Sequence, residues 1–224
     1  MGTVLEMRQR LSLLLMTLAL TACGTQDDSL ETLQALRDAI IARRAEPVDL
    51  RAAATPEIIA GVGRPVLYFE APDRGSQLLF VEDLRNGENI SWISPSHEMI
   101  VLQRGVLVAT RGAGGDLMSA DVADVHEALA GRSNRAERVH RYLDGENHVV
   151  TQSFVCEYSR RPDSTSAYYR QLPATRVDET CYSPDTQFSN RYWIANSGEV
   201  LRSEQWLGEA VGQISYERLS NWAS

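Results

Sequence analysis

The feature that most restricts the fold is a succession of short segments, typical of strands, which begins at Pro65 and continues to the end of the chain. Turn-forming residues separate these segments, and Asn86-Gly87 and Asp144-Gly145 are strong signals for tight hairpins. The predicted strands cover 65–71, 76–84, 88–93, 98–102, 106–110, 138–143, 148–158, 175–182, 188–195, 199–207 and 211–218. Short connections favour antiparallel pairing, so we expect a mainly β fold of about ten strands that forms a barrel, a half-barrel or a sandwich.

Helical periodicity is confined to a few segments. The first runs over 29–44, where leucines and isoleucines recur at helical spacing until Pro47 ends the pattern. Thr55-Pro56-Glu57 starts one more short turn of helix. A further helix is predicted over 119–130, with its apolar residues on one face and Gly131 at its end. We therefore expect an N-terminal helix and one further helix, packed on the sheet or inside it.

The N-terminal segment is typical of a bacterial lipoprotein leader. Residues 11–22 form an uncharged apolar run that follows Arg8 and Arg10, and this pattern predicts a secretory signal peptide. The run is too short to span a bilayer, because a spanning helix needs about 20 apolar residues. Leu20-Thr21-Ala22-Cys23 matches the lipobox, in which the cysteine thiol accepts a diacylglyceryl group and the cysteine becomes the new N terminus.

These signals define the expected domain boundaries. Residues 1–22 form the lipoprotein signal peptide, with Met7 as an alternative start. Cys23 carries the acyl chains, palmitate among them, and residues 23–28 form a lipidated tether. Residues 29–224 remain for a single, mainly β periplasmic domain, a size within the usual range. The alternative is an ordinary signal peptide in which the cysteine is incidental.

Charge and residue usage exclude several functions. The chain has 22 basic and 30 acidic residues and a formal charge of −8, so it offers no net positive field to nucleic acid. Every basic residue is an arginine. The absence of lysine from the sequence excludes a Walker A lysine, Schiff-base chemistry and a Ser-x-x-Lys nucleophile.

The two later cysteines bear on the redox compartment. After export, Cys156 and Cys181 would face an oxidising environment, which favours a disulfide between them. Two buried free thiols are the alternative, because the sequence alone does not determine whether the side chains meet.

No motif in the sequence points to catalysis. The four histidines form no His-x-x-x-His pair, and His148 is not expected to meet His140 across its hairpin, which argues against a metal site. Residues 112–116 resemble a phosphate-binding loop, but they lack a following lysine and a parallel βαβ setting, so a flexible turn is the preferred interpretation. We therefore predict a protein that is not an enzyme and that uses no cofactor or metal.

Aromatic residues and arginines favour a surface that binds glycan or a partner protein. Aromatic rings stack on the faces of sugars, while arginines and acids bond to hydroxyl groups or uronates. The residues assigned to this surface are Trp92, Arg111, Tyr192, Trp193 and Trp206. The alternative is that the same rings fill the core and the faces of the sheet, where aromatic residues are common.

Several motifs match a known family in their order along the chain. They are Trp92-Ile93-Ser94-Pro95, Glu98-Met99-Ile100-Val101, Gly105-Val106-Leu107-Val108-Ala109-Thr110-Arg111-Gly112, Gly115-Asp116-Leu117, Asn190-Arg191-Tyr192-Trp193 and Ser203-Glu204-Gln205-Trp206. Together with the lipobox and the two later cysteines, they make the chain similar to the YjbF/GfcB family of lipoproteins, which are encoded with exopolysaccharide and group-four capsule genes. The resemblance implies an outer-membrane lipoprotein that faces the periplasm, has a mainly β fold and brings no catalytic residues.

The resemblance also implies partners and leaves other functions open. The partners would be membrane lipid through the anchor, an outer-membrane β-barrel, periplasmic proteins of the same polysaccharide pathway and the polysaccharide itself. One alternative to an accessory factor in polysaccharide assembly or export is a LolB-like carrier of lipid or lipoprotein, which needs a wide apolar concavity. Another is a hydrolase using carboxylates such as Asp116, Asp121 and Glu157, although no spacing nominates them.

Overall fold

The computed structural model of the protein describes residues 27–41, 48–143, 146 and 148–221. The predicted leader, Cys23 and the tether as far as residue 26 lie outside the described residues, as do residues 42–44 of the predicted N-terminal helix. No helix in the described part of the chain is long and apolar enough to cross a membrane.

Twelve antiparallel strands form one sheet that curls into a nearly closed barrel. The strands are β1 (Val66–Ala71), β2 (Ser76–Asn86), β3 (Asn89–Ile93), β4 (Met99–Gln103), β5 (Val106–Arg111), β6 (Leu117–Asp121), β7 (Arg135–Leu143), β8 (Val149–Ala167), β9 (Arg170–Tyr182), β10 (Gln187–Ile194), β11 (Val200–Gly208) and β12 (Gly212–Arg218). Strands that are adjacent in sequence pair with each other, except β5 and β6, which form the two edges of the sheet. The sheet is continuous because β1 pairs with β12. These edges meet where the backbone N–H of Leu117 donates to Thr110 Oγ1 at 3.0 Å. The predicted mainly β barrel is therefore confirmed.

The strand count is twelve rather than about ten, partly because β6 occupies the start of the second predicted helix. Leu117–Asp121 pairs with β7, and the side chain of Leu117 is fully buried in the core. The helix itself is only Ala123–Leu129 (α4), and its expected apolar face, including Val125 and Leu129, is buried. A short apolar segment is compatible with the period of a helix and with that of a strand. Here its pairing with β7 makes the segment a strand.

A second difference is the arm, residues 159–174, which lie between two predicted strands and outside both of them. The arm is the continuation of β8 and β9, whose pairing extends to Ala167↔Arg170. Its turn consists of Tyr168 and Tyr169, both in the left-handed region with φ of 52° and 58°. Two-residue hairpin turns of this kind usually contain glycine or asparagine, so two tyrosines carry no hairpin signal in the sequence.

The described residues form four α-helices beside the sheet, rather than the two we expected. The N-terminal three are α1 (Asp27–Ile41), α2 (Leu50–Ala53) and α3 (Pro56–Ala60), and they confirm the expected helix over 29–41 and the expected helical turn after Thr55. Thr55 caps α3, where its hydroxyl accepts a hydrogen bond from the N–H of Ile58 at 3.5 Å. The helices contribute Leu33 and Ile59 to an apolar cluster on the outer face of β1 and β2. The tip of the arm also contacts this apolar cluster. Tyr169 packs against the cluster, and the Tyr169 hydroxyl donates to Ala54 O at 2.6 Å.

The main core fills the inside of the barrel. Its largest fully buried side chains include Phe80, Trp92, Tyr192 and Tyr216. Helix α4 packs into the same core, and His126 Nε2 lies 3.0 Å from Gln103 Oε1 at the turn between β4 and β5. The interior is therefore packed with side chains, as expected for a small barrel.

A disulfide joins Cys156 and Cys181, which lie directly opposite each other on β8 and β9. Both cysteines are fully buried beside Phe154 and Phe188. The bond closes a loop of 25 residues in sequence separation, and this loop contains the whole arm.

We expect reduction of this disulfide, or the double substitution Cys156→Ala and Cys181→Ala, to lower the free energy of unfolding. In the chain-entropy model a loop of this length contributes about 3.5 kcal/mol. Urea unfolding of the oxidised protein, the reduced protein and the double variant measures the difference. Equal unfolding midpoints in all three samples would contradict the assigned role.

Candidate functional site

The most strongly bonded polar group inside the barrel is the carboxylate of Glu179 on β9. Its Oε2 accepts hydrogen bonds from Arg138 Nη1 at 2.8 Å, from the Tyr192 hydroxyl at 2.9 Å and from Asn190 Nδ2 at 2.5 Å. Its Oε1 accepts one from the Tyr158 hydroxyl at 2.5 Å. Glu179 and Arg138 are almost completely buried. A buried charge of this kind requires a partner and hydrogen bonds, and here it has both.

The network holds its charges in place. Burial by itself lowers the pKa of the Arg138 guanidinium, but Glu179 and the nearby tyrosine Tyr192 outweigh this effect and raise that pKa above its usual range. Burial also raises the pKa values of Tyr158 and Tyr192, so both phenols stay protonated and donate to the carboxylate. A carboxylate that already accepts four hydrogen bonds is poorly available as a base, so the network is structural.

We expect Glu179→Gln to cost about 3–5 kcal/mol of unfolding free energy, the range found when one member of a buried ion pair is removed. The amide nitrogen would replace one acceptor oxygen by a donor in either orientation and would leave Arg138 without its counter-charge. The matched control is Glu157→Gln on β8, where the side chain is exposed and a change within about 0.5 kcal/mol is expected. Urea unfolding measures both, and equal stabilities would show that the pair is dispensable.

Two buried histidines are kept neutral. Burial, together with the charges of Arg104 and Arg138, lowers the pKa of His126 to about 4. Burial and Arg138 also hold the pKa of His140 well below its usual value. The Tyr142 hydroxyl donates to Leu207 O at 2.8 Å, so it accepts from His140 Nδ1 at 3.0 Å, and this nitrogen carries the proton.

These shifts predict that the protein loses stability in acid. In the unfolded chain the His126 side chain binds a proton below about pH 6.5, whereas in the folded protein it binds one only near pH 4. The stabilising contribution of neutral histidine is therefore complete above pH 6.5 and declines as the pH falls towards 4. Urea unfolding at pH 7 and pH 5 should show that the free energy of unfolding falls less between these pH values for His126→Gln than for the wild type. An equal loss would contradict the assignment.

The outer face of the sheet carries two rows of side chains that cross neighbouring strands from β9 to β1. The first row is Asp178, Arg191, Glu204, Ser215 and Glu70, each in register with the next. The second row is Arg176, Trp193, Arg202, Glu217 and Tyr68. Side chains that lie directly opposite on one face of a sheet are close enough to interact. The first row therefore begins with alternating acidic and basic groups, whereas the second row places a tryptophan between two arginines.

Ion pairs connect the rows. Glu204 accepts from Arg191 Nη1 at 2.8 Å and from Arg202 Nη2 at 3.4 Å. The guanidinium carbon of Arg202 lies 5.3 Å from the centre of the Trp193 ring, and that of Arg176 lies 5.7 Å away. The indole N–H of Trp193 donates to Asp163 Oδ2 of the arm at 3.0 Å. Trp193 is thereby covered on the outer face and holds the arginines beside it.

A groove opens on this face next to the rows. The register between β10 and β11 runs from Arg191↔Glu204 to Ile194↔Val200. The groove has a volume of about 290 Å³. Its lining comes from β1, the turn after β1, β10, β11 and β12: Glu70, Pro72, Ser189, Arg191, Arg202, Glu204, Gln213, Ile214 and Ser215. We call this site the outer groove.

The residues that we assigned to a binding surface do not lie together. Trp92 and Tyr192 are completely buried and are unavailable to an external ligand. Trp206 stacks on Phe188 with ring centres 4.5 Å apart, and Arg111 lines a different pocket. Of the five, Trp193 is the one that lies beside the outer groove, through its contact with Arg202.

Sequence reasoning missed most of the outer groove. Glu70, Arg202 and Gln213 belong to three different strands, and only the register of the sheet brings them together. A local signal was present in β11, where the charged Arg202 and Glu204 alternate with the uncharged Ser203 and Gln205, which are buried. Alternation identifies the outward residues but not their neighbours across strands.

The glycine-rich segment after β5 is a turn, as preferred, although it leads into β6 and not into a helix. The carboxylate of Asp116 accepts hydrogen bonds from the N–H groups of Gly112 and Ala113, both at 2.9 Å. Arg74 then donates to Ala113 O at 2.5 Å and to Ala210 O at 2.6 Å. The N–H groups that a phosphate would need are therefore bound by the chain itself.

Among the described residues, three metal-ligand side chains come close together at Cys156, Glu179 and Cys181. The two sulfurs are bonded to each other and the carboxylate accepts four hydrogen bonds. This group is therefore not arranged as a metal centre.

The fold places the protein in a class of barrels that includes a solved lipoprotein structure. A twelve-stranded, nearly closed antiparallel barrel with helices on one outer face resembles the hypothetical lipoprotein YmcC of Escherichia coli (K12), at a TM-score of 0.65 and 18% identity over 81% of this chain and 100% of that one. At this identity the likeness concerns the fold alone.

The family follows from the sequence match. The family described as "Group 4 capsule polysaccharide lipoprotein gfcB, YjbF" matches residues 33–219, and the chain belongs to it. The uncharacterized lipoprotein YjbF of Escherichia coli (strain K12) is 24% identical over 147 residues, which make up 60% of this chain. The chain spans 65% of the length of that relative. The resemblance stated from the motifs is thus confirmed.

Proposed function

We propose that the protein is a non-catalytic accessory factor in the assembly or export of an exopolysaccharide or capsule, held at the periplasmic face of the outer membrane by acyl chains on Cys23. The observation that carries this proposal is the family match, which covers residues 33–219 and so includes all twelve strands. The family is one of capsule polysaccharide lipoproteins. Two or more acyl chains anchor a protein stably to a membrane.

The chemistry of the described residues supports a role without catalysis. The most buried titratable centre, Glu179 with Arg138, is fully bonded and faces the interior of the barrel. Asp116, which could have served a hydrolase, is bound by the N–H groups of its own loop. A general acid or base needs access to a substrate and an adjustable proton, and neither carboxylate offers both.

A LolB-like carrier of lipid or lipoprotein is the alternative, and the packing of the barrel weighs against it. The interior positions are filled by large side chains such as Trp92, Tyr192 and Tyr216. An apolar pocket beside Phe69, Phe80 and the glycine-rich loop has a volume of about 120 Å³. Sites that enclose drug-sized ligands hold about 300–1,000 Å³, so this pocket is small for an acyl chain.

The proposal includes a single periplasmic domain over residues 29–224 and partners from the same pathway. An outer-membrane β-barrel, periplasmic proteins of polysaccharide export and the polysaccharide itself are the candidates. Mild-detergent purification of the tagged, lipidated protein from its own host, followed by mass spectrometry, would identify the proteins among them.

The test is complementation of a gene deletion in the host. We expect deletion to reduce extracellular polysaccharide, the wild-type gene to restore it and Cys23→Ser to fail while the protein leaves the membrane fraction. Labelling with a clickable palmitate analogue should mark the wild type but not Cys23→Ser. Cys156→Ser is the control, because it breaks the disulfide but keeps Cys23 and should therefore keep the label. Unchanged polysaccharide after deletion would refute the proposed function.

A further inference from the structure

The outer groove contains acceptor atoms that the chain leaves unused. Within the described residues no hydrogen bond or ion pair engages the carboxylate of Glu70, which lines the groove from β1. Gln213 Oε1 is buried and has no hydrogen-bond partner, whereas Gln213 Nε2 donates to Ser189 O at 2.8 Å. That bond fixes the orientation of the amide, because a flipped group would place its oxygen against a carbonyl. An unpaired buried acceptor is costly and calls for a donor from outside the chain.

Donors lie on the other side of the same groove. Arg191 and Arg202 share the carboxylate of Glu204, which leaves further N–H groups of both guanidiniums without a bond to it. The Ser215 hydroxyl lies between Glu204 and Glu70 in the first row. The groove therefore presents acceptors and donors within one ring-sized space, and a ligand with several hydroxyl groups satisfies both, since a hydroxyl donates and accepts.

The charge of the groove selects among such ligands. Two carboxylates, Glu70 and Glu204, face two guanidiniums, Arg191 and Arg202. The chain as a whole carries a formal charge of −8. A strongly anionic ligand gains nothing from a balanced groove and is repelled by the field of an acidic protein. An uncharged ligand has neither disadvantage.

From these observations we infer that the outer groove binds an uncharged sugar unit of a polysaccharide through its hydroxyl groups. Glu70 and Gln213 Oε1 accept from the sugar hydroxyls, and Arg202 donates to its oxygens. At about 290 Å³ the groove lies just below the range of drug-sized ligand sites, about 300–1,000 Å³, so it suits one or two rings of a longer chain. The identity of the polymer as a capsule or exopolysaccharide rests on the proposed function.

Trp193 acts here as a positioning residue. Its ring lies beneath the guanidiniums of Arg176 and Arg202, and its N–H is bonded to Asp163 of the arm. The indole therefore supports the arginine at the wall of the groove and leaves sugar contact to the polar groups.

The experiment uses the full, lipidated chain in detergent micelles and isothermal titration calorimetry. The probes are oligosaccharides from partial hydrolysis of the host's own extracellular polysaccharide, with dextran, galactan and mannan fragments as neutral references and polygalacturonate as the acidic one. The variants are Glu70→Gln and Gln213→Met. The matched control is Glu137→Gln, an exposed glutamate on β7 outside the groove. Thermal unfolding checks that each variant is folded.

We expect saturable binding of at least one neutral oligosaccharide, at least tenfold weaker binding by Glu70→Gln and by Gln213→Met, and wild-type binding by Glu137→Gln. Should a variant not fold, shifts of the backbone NMR signals of Arg191 and Ser215 in the wild type during the titration locate the ligand instead. Preference for polygalacturonate, binding that the groove variants leave unchanged, or no binding of any probe would overturn the inference. If no probe binds but gene deletion still reduces the polysaccharide, the assignment of the outer groove as a sugar site is overturned and the proposed function stands.

Discussion

The carboxylate of Glu179 is the constraint on which the arrangement of half of the sheet depends. It binds groups from β7, β8 and β10, namely Arg138, Tyr158, Asn190 and Tyr192. The backbone N–H of Trp206 on β11 then donates to Asn190 Oδ1 at 2.7 Å. Because a buried charge tolerates no missing partner, only one relative placement of these strands satisfies all of the bonds. Hydrophobic packing alone would permit more than one placement.

The surface follows from this interior. A slip of one residue between two strands exchanges the inward and outward side chains. Since Tyr192 and Asn190 point to Glu179, the residues between and beside them, Arg191 and Trp193, must point outward. The same alternation places Arg202 and Glu204 on the outer face of β11. The two rows and the outer groove are thus a consequence of the bonds made on the opposite side of the sheet.

Much of the fold could be predicted from the sequence, because local patterns determine it. Hairpins marked by turn residues, such as Asn86-Gly87, and the helix that contains Leu33 were found at nearly their observed positions. The failures occur where local signals are absent or ambiguous. The turn at Tyr168 and Tyr169 uses residues that rarely form one, and β6 is too short to be distinguished from a helix by periodicity.

The candidate site could be predicted much less well, since it depends on contacts between distant residues. Trp92 and Tyr192 were assigned to the surface from residue type, but burial is decided by the face of the strand on which they lie. Glu70 and Gln213 are far apart in sequence and meet only because β12 pairs with β1. No pattern within one segment carries that information.

The pairing of β1 with β12, from Leu67↔Arg218 to Glu70↔Ser215, has a consequence for the order in which the sheet can form. Ten of the eleven strand pairings join strands that are consecutive in sequence, and the pairing of β1 with β12 alone has to wait for the last strand. The β1–β5 and β6–β12 meanders can each form from local hairpins, and the β1–β12 pairing then joins them into one sheet.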